Sequence, residues 1–212
     1  MRSNALTGAA LVAAMAAVVV ISNVLVQYPL HGSIGGVKLA DLLTYGAFTY
    51  PIAFLVTDLT NRTRGAKAAR KVVLAGFVIA VGLSIWLASP RIAIASGSAF
   101  LVAQLIDVSV FDRLRQNAWW QGPLISSVIG SVIDTLLFFS IAFAGFFAVL
   151  DFNAPEPGSL DFLVPFLGIG VQVPLWVSLA AGDLVVKLLV ALAMLVPYGA
   201  LRSAMPLAPK PV

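Results

Sequence analysis

The chain has 212 residues, 60% of them hydrophobic and only 10% charged, with a mean hydropathy of +1.01 and a formal net charge of +4. Soluble domains carry roughly 25% charged residues, so this composition excludes an ordinary soluble enzyme and implies an integral membrane protein. There is no cysteine and one histidine, His31; disulfides, thiolate metal sites and cysteine nucleophiles are excluded, a single histidine argues against a histidine-based metal site, and no metal or cofactor is expected.

A membrane-crossing helix needs about 20 apolar residues. The chain divides into six such runs, at 5–27, 40–59, 69–89, 91–111, 123–150 and 177–201. The first follows one basic residue, Arg2, and exceeds a signal-peptide core of roughly 7–15 residues, so it reads as a retained helix. Pro29 and "HGSIGG" close it, and "NRTRGAK" follows the second run. "SPR" forms a tight turn between the third and fourth. "DRLRQNAWWQGP" leads into the fifth, with Trp119 and Trp120 suited to the membrane interface. Residues 151–162 are polar and proline-rich, a loop. The next stretch, "LVPFLGIGVQVPLWV", is apolar but interrupted by Pro165 and Pro174. It admits three readings: a re-entrant piece, an interfacial piece, or a proline-kinked start to the last span.

Lysine and arginine set the orientation. Arg2, the five basic residues from Arg62 to Lys71, Arg113, Arg115, Arg202 and Lys210 share one side, against Lys38 and Arg91 on the other. Both termini are therefore expected in the cytoplasm. The expected fold is an all-α membrane protein: one domain over 1–212, six transmembrane helices, and a broken apolar segment before the last.

The polar residues inside these runs share faces. At 100° per residue, Ser96, Phe100, Gln104 and Asp107 fall within an arc of about 80° on the fourth span. Ser127, Ser131, Asp134 and Phe138 fall within about 60° on the fifth. Asp183 and Lys187 are i,i+4 neighbours on the last span, as are Asn23 and Gln27 on the first. Asp134 lies about 16 Å into its span, near mid-membrane, where a lone carboxylate costs several kcal/mol. The expectation is a bundle with these stripes turned inward around a polar cavity. No serine–histidine arrangement, phosphate loop or clustered metal ligand set is present. The chain is expected to be a transporter, a channel or a membrane subunit, not an enzyme. Its basic residues belong to short loops and give no sign of nucleic-acid binding.

Several stretches resemble one family. They are "SN" at 22–23, "YPIAFLVTDL" at 50–59, "RGAKAARKVV" at 64–73, "RIAIASGSAFLVAQLIDVSVFDRLR" at 91–115, "SSVIGSVIDTLLFFSIAF" at 126–143 and "DLVVKLLVALAMLVPYG" at 183–199. Together, and in this order, they resemble the queuosine-precursor transporter family, also called the vitamin uptake transporter family. The resemblance implies a six-helix protein of the bacterial inner membrane that imports 7-cyano-7-deazaguanine, 7-aminomethyl-7-deazaguanine or both, precursors of a transfer-RNA modification. Many members carry an acidic residue after the "TDL" helix. Here "TDLTNRTRG" has Arg62 instead, which leaves the choice of cargo open.

A deazaguanine presents a lactam N–H and an amino group on one edge, which a carboxylate accepts together. Asp134 is the first expected acceptor and Asp107 the second. Gln104 or Lys187 would donate to the ring carbonyl, and Phe100 or Phe138 would stack on the ring. Asn23, Ser96 and Ser127 would supply remaining hydrogen bonds. Asp58, Arg91 and Asp183 are assigned to gating or support. Two rival readings stand beside this: a substrate-capturing subunit of an energy-coupling-factor importer, and a scaffold subunit that transports nothing. The expected partners are the small-molecule base and the lipid bilayer. A homodimer through small-residue faces is left open.

Overall fold

The computed structural model describes residues 2–34, 37–39, 43–151, 158–203, 205 and 207–208. Residues 40–42 of the expected second span, the centre of the 151–162 loop and Lys210 fall outside this set. The α-helices are α1 (Arg2–Leu25), α2 (Gly46–Thr49), α3 (Ile52–Arg64), α4 (Ala66–Leu87), α5 (Pro90–Leu114), α6 (Gln121–Phe143) and α7 (Leu175–Arg202). Five of them, α1 and α4 to α7, are long and apolar enough to cross a membrane.

The second expected span is displaced and interrupted. Its helix begins at Gly46, breaks at Tyr50–Pro51 and continues to Arg64. Pro51 has no N–H and cannot extend a regular ladder. Tyr50 (φ −55, ψ −42) and Pro51 (φ −64, ψ −17) keep helical angles, yet Ala53 and Phe54 donate to carbonyls only three residues back. Thus α2 and α3 form one nearly continuous helix with a tightened turn. The polar tail "TDLTN" is not a surface end, since Thr57, Asp58, Thr60 and Asn61 are all buried.

Local chemistry sets the remaining boundaries. Gly65 ends α3 at φ +81, the left-handed region that favours glycine, and its N–H donates to Asn61 O at 2.8 Å. α4 starts at the next residue. Ser89 Oγ accepts the Ile92 N–H at 3.3 Å, and Pro90 occupies the first turn of α5. α6 stops at Phe143 rather than 150, and a 3₁₀ turn over Gly145–Leu150 follows. The broken apolar segment is not a kinked start to the last helix. It is a β-hairpin, β3 (Leu163–Pro165) against β4 (Gln172–Pro174), antiparallel in the register Leu163↔Pro174 and Pro165↔Gln172. Its turn uses Leu167 (φ 49), Gly168 (φ 82) and Gly170 (φ 66). A shorter hairpin, β1 (Ser33–Ile34) and β2 (Val37–Lys38), follows α1.

α5 and α6 form the central pair. α4 packs on α5 and α1, α7 on α6, and α3 is wedged among α1, α4, α5, α6 and α7. Close approach comes from small residues: Ala93, Ala95, Gly97, Ala99 and Ala103 are buried along α5. Around them Met15, Val19, Val56, Val73, Phe100 and Val108 make the apolar core. At Gly130 a Cβ would lie 2.6 Å from Cε1 of the buried Phe54 ring, so any side chain there would force that ring to shift. The outward faces stay apolar and bare, at Val78, Ile85, Trp86, Leu136, Leu189 and Val196. A lipid-facing surface has this character.

Candidate functional site

A cavity of about 460 Å³ opens at one end of the bundle. That size suits a small organic ligand. Its walls come from the end of α1, from α2, the end of α4, the start of α5, the second half of α6 and the first half of α7. These parts all lie at the end opposite the basic α3–α4 and α5–α6 junctions. The polar stripes read from sequence do face inward, but they divide by depth.

The floor of the cavity is charged. Lys187 Nζ donates to Asp134 Oδ2 at 2.7 Å and lies 2.5 Å from Asp183 Oδ2. It is also 3.3 Å from Thr135 Oγ1, which donates to Asp183 Oδ2 at 2.9 Å. These partners take all three ammonium donors. Lys187 is therefore committed to α6 and to its own helix, and it would have to give up a partner to bind a ligand carbonyl. Two carboxylates against one ammonium leave a formal charge of −1. Asp134 Oδ1 has no hydrogen bond among the described residues and belongs to the side chain that lines the cavity.

Above the floor the wall is aromatic on one side and amide on the other. Phe138 meets Phe139 edge to face at 5.2 Å and Phe143 at 6.0 Å, and all three line the cavity. Opposite them, Asn23 donates to Val19 O at 2.9 Å and keeps Oδ1 within 3.4 Å of Ser84 Oγ. Gln27 and Ser96 complete the polar wall. Tyr50 closes it, its ring 6.0 Å from Lys187 Nζ. A flat ligand would meet ring faces, amide and hydroxyl groups, and a carboxylate below.

Of the residues expected at the site, Asn23, Ser96, Asp134, Phe138, Asp183 and Lys187 meet at this cavity. Phe100 does not line it. It is buried one layer behind, edge-on to Tyr50 at 6.3 Å. Gln104 is tied to α3, where its Oε1 accepts the Thr57 hydroxyl at 2.6 Å. Asp107 and Ser127 lie towards the basic end. Asp107 is fully buried opposite Asp58, and Ser126 Oγ donates to Asp58 Oδ1 at 3.3 Å. Arg91 is buried at the cavity end of the bundle, where it clamps the end of α6. Its guanidinium donates to Ile141 O at 2.8 Å, Ala144 O at 2.5 Å, Asp151 Oδ2 at 2.8 Å and Ser159 Oγ at 3.1 Å.

Sequence reading missed Tyr50, Thr135 and Phe139. Thr135 and Phe139 are sequence neighbours of Asp134 and Phe138, and a single narrow stripe passes over both. Tyr50 precedes Pro51, where the broken helix turns its side chain to the cavity. The pairing of a tyrosine with an intramembrane proline was the available signal.

The model of the family described as putative vitamin uptake transporter matches residues 44–89 and 83–201. The chain belongs to this family. A queuosine precursor transporter of Escherichia coli (strain K12) is 34% identical over 88% of this chain and 82% of its own length. A probable queuosine precursor transporter of Haemophilus influenzae is 36% identical over 62% of this chain and 66% of its own length. A third, from Bacillus subtilis, is 26% identical over 49% of this chain and 58% of its own. No solved structure matches the chain. These relatives are transporters by name, and the protein is a multi-pass membrane transporter rather than an enzyme.

Proposed function

We propose that this protein imports a queuosine precursor, a 7-deazaguanine base, across the bacterial inner membrane. In this reading six membrane segments cross the bilayer with both termini in the cytoplasm, and α2–α3 together make the second. The 19 residues from Gly46 to Arg64 would reach about 28 Å, enough for the hydrocarbon core. The positive-inside distribution then puts the cavity mouth on the outer face, so the conformation is open to the outside.

One observation carries the reading: a buried Asp134–Lys187–Asp183 network forms the floor of a cavity with an aromatic wall. Asp134 accepts the lactam N–H and the amino group of the base, Lys187 holding the carboxylate in place. A carboxylate has about four lone-pair sites, so Lys187 does not exhaust it. Phe138 or Phe139 stacks on the ring, and Asn23, Ser96 and Tyr50 meet its remaining edges. The choice between nitrile and aminomethyl cargo belongs to the same experiment. The purified protein is heated with a panel of 7-deazaguanines and ordinary purines. A bound base raises the melting temperature by mass action, and Asp134→Asn removes the rise. Equal response to every purine, or none to any, refutes the reading. Uptake by the chain alone in liposomes separates a self-sufficient transporter from a subunit that needs an energising partner.

A further inference from the structure

Below the cavity floor, in the basic half of the bundle, lies a second buried polar cluster that ligand binding does not use. Asp58 on α3 and Asp107 on α5 are 1% and 0% exposed. Asp107 lies opposite Asp58 across the α3–α5 interface, and Ser126 Oγ on α6 donates to Asp58 Oδ1 at 3.3 Å. The cluster is short of donors. Both oxygens of Asp107 are buried with no hydrogen-bond partner, and so is Oδ1 of Asn61, one turn along α3 from Asp58. The Asn61 amide donates across to Val108 O at 2.9 Å, beside Asp107.

Among the described residues, no lysine or arginine forms an ion pair with Asp58 or Asp107. Arg115 on α5 is buried, pairs with Asp112 at 3.2 Å and reaches Asn61 O at 3.5 Å through Nη1, while its Nε and Nη2 make no hydrogen bond and reach neither carboxyl of the pair. Arg62 on α3 donates to Met205 O at 3.0 Å. Tyr198 on α7 packs edge-on to Phe111 at 6.2 Å, and α6 presents the neutral Ser126. On α4, Lys67, Arg70 and Lys71 are exposed. Two facing carboxylates without a cation repel strongly in an apolar interior. A single proton between them supplies the missing donor and removes that repulsion.

The element carrying Asp58 is short and bounded at both ends. α3 is 13 residues long and is flanked by the Pro51 break and by Gly65 at φ +81. With α5 and α6 it closes the basic half of the bundle. We propose that Asp58 and Asp107 share one proton in a site separate from the ligand cavity, and that its loss releases α3 from α5 and opens the basic half. The bound form is an O–H of one carboxyl donated to the other carboxylate. On release the proton passes to water on the basic side, and two like charges are left facing each other. This rests on the transporter reading for its purpose, but not for its test.

The test needs no ligand, because the native chain has no cysteine. Val108→Cys places a fully buried reporter beside the pair. Its labelling by a membrane-impermeant maleimide from the basic side is normalised to an exposed Ser203→Cys reporter. Normalised labelling should rise several-fold as pH is raised in the native background, and stay low at every pH with Asp58→Asn, which keeps a donor and one charge. Infrared spectra of the unlabelled protein should show a protonated-carboxyl band that fades over the same pH range and is absent from Asp58→Asn and Asp107→Asn. Labelling that ignores pH, or an Asp58→Asn background that follows the native one, overturns the proposal. A band lost on adding sodium at constant pH also overturns it, in favour of a metal cation. Should Asp58→Asn fail to assemble, Asp107→Asn replaces it, and the native infrared band still decides. Deazaguanine binding is scored separately, so failure of the cargo assignment leaves this result intact.

Discussion

Lys187 stands 2.7 Å from Asp134 on the neighbouring helix, and both side chains are almost fully buried. The ammonium joins α6 to α7 at the level where the cavity ends. Removing a single partner from such a pair leaves an unpaired charge in an apolar interior, which costs about 3–5 kcal/mol.

Lys187→Met is therefore expected to destabilise the purified protein by roughly that amount, about 3–5 kcal/mol. Adding Asp134→Asn and Asp183→Asn should recover much of the loss, because the stranded charges disappear. Thermal denaturation in detergent checks both steps. A triple variant no more stable than the single one would show that the network does not act as an ionic unit.

Arg91 should tolerate neither alanine nor lysine. Its planar fork reaches two carbonyls at the end of α6, the Asp151 carboxylate and the Ser159 hydroxyl at once. A lysine has one ammonium and cannot span them. Both variants are expected to lower the melting temperature, and Arg91→Lys should recover less than half of the alanine deficit.

Gly130→Ala should be costly for a steric reason. The new methyl would lie 2.6 Å from a Phe54 ring carbon, and overpacking of this kind costs about 1–3 kcal/mol. The double variant Gly130→Ala/Phe54→Leu should regain stability relative to Gly130→Ala alone, as read from the midpoints of thermal unfolding.

Stacking predicts an ordering of affinities. Truncating an aromatic platform costs about 1–3 kcal/mol per base in other proteins. Phe138→Ala should thus weaken binding of the deazaguanine roughly tenfold or more. Phe100→Ala should act only through Tyr50, its edge-to-face neighbour, and cost less. Equilibrium binding to the two purified variants gives the ratio, and equal losses would contradict the layered arrangement.

The inward stripes were legible because helical periodicity and the cost of a charge in hydrocarbon both act within one element. Asp134 and Lys187 are conspicuous on those grounds in the sequence alone. What periodicity does not carry is the partner across a helix interface. Gln104 and Asp107 share an arc with Ser96, yet Thr57 and Asp58 draw them into a different layer. The extent of the second span was misplaced for a related reason: "TDLTN" is polar, and hydropathy alone treats it as leaving the membrane. The hairpin over 163–174 was unreadable as strand because its two prolines and flanking glycines serve equally as breaks in an apolar helix. Its pairing is fixed only by the partner strand.

The vestibule has its mouth at one pole, and the opposite pole is filled by buried side chains of α3, α5, α6 and α7. A blocker shaped to wedge between Phe138 and Asn23 would reach its seat from the open pole without ever entering the bilayer or the compartment beyond. Solutes on the plugged side have no access to that seat while this shape persists.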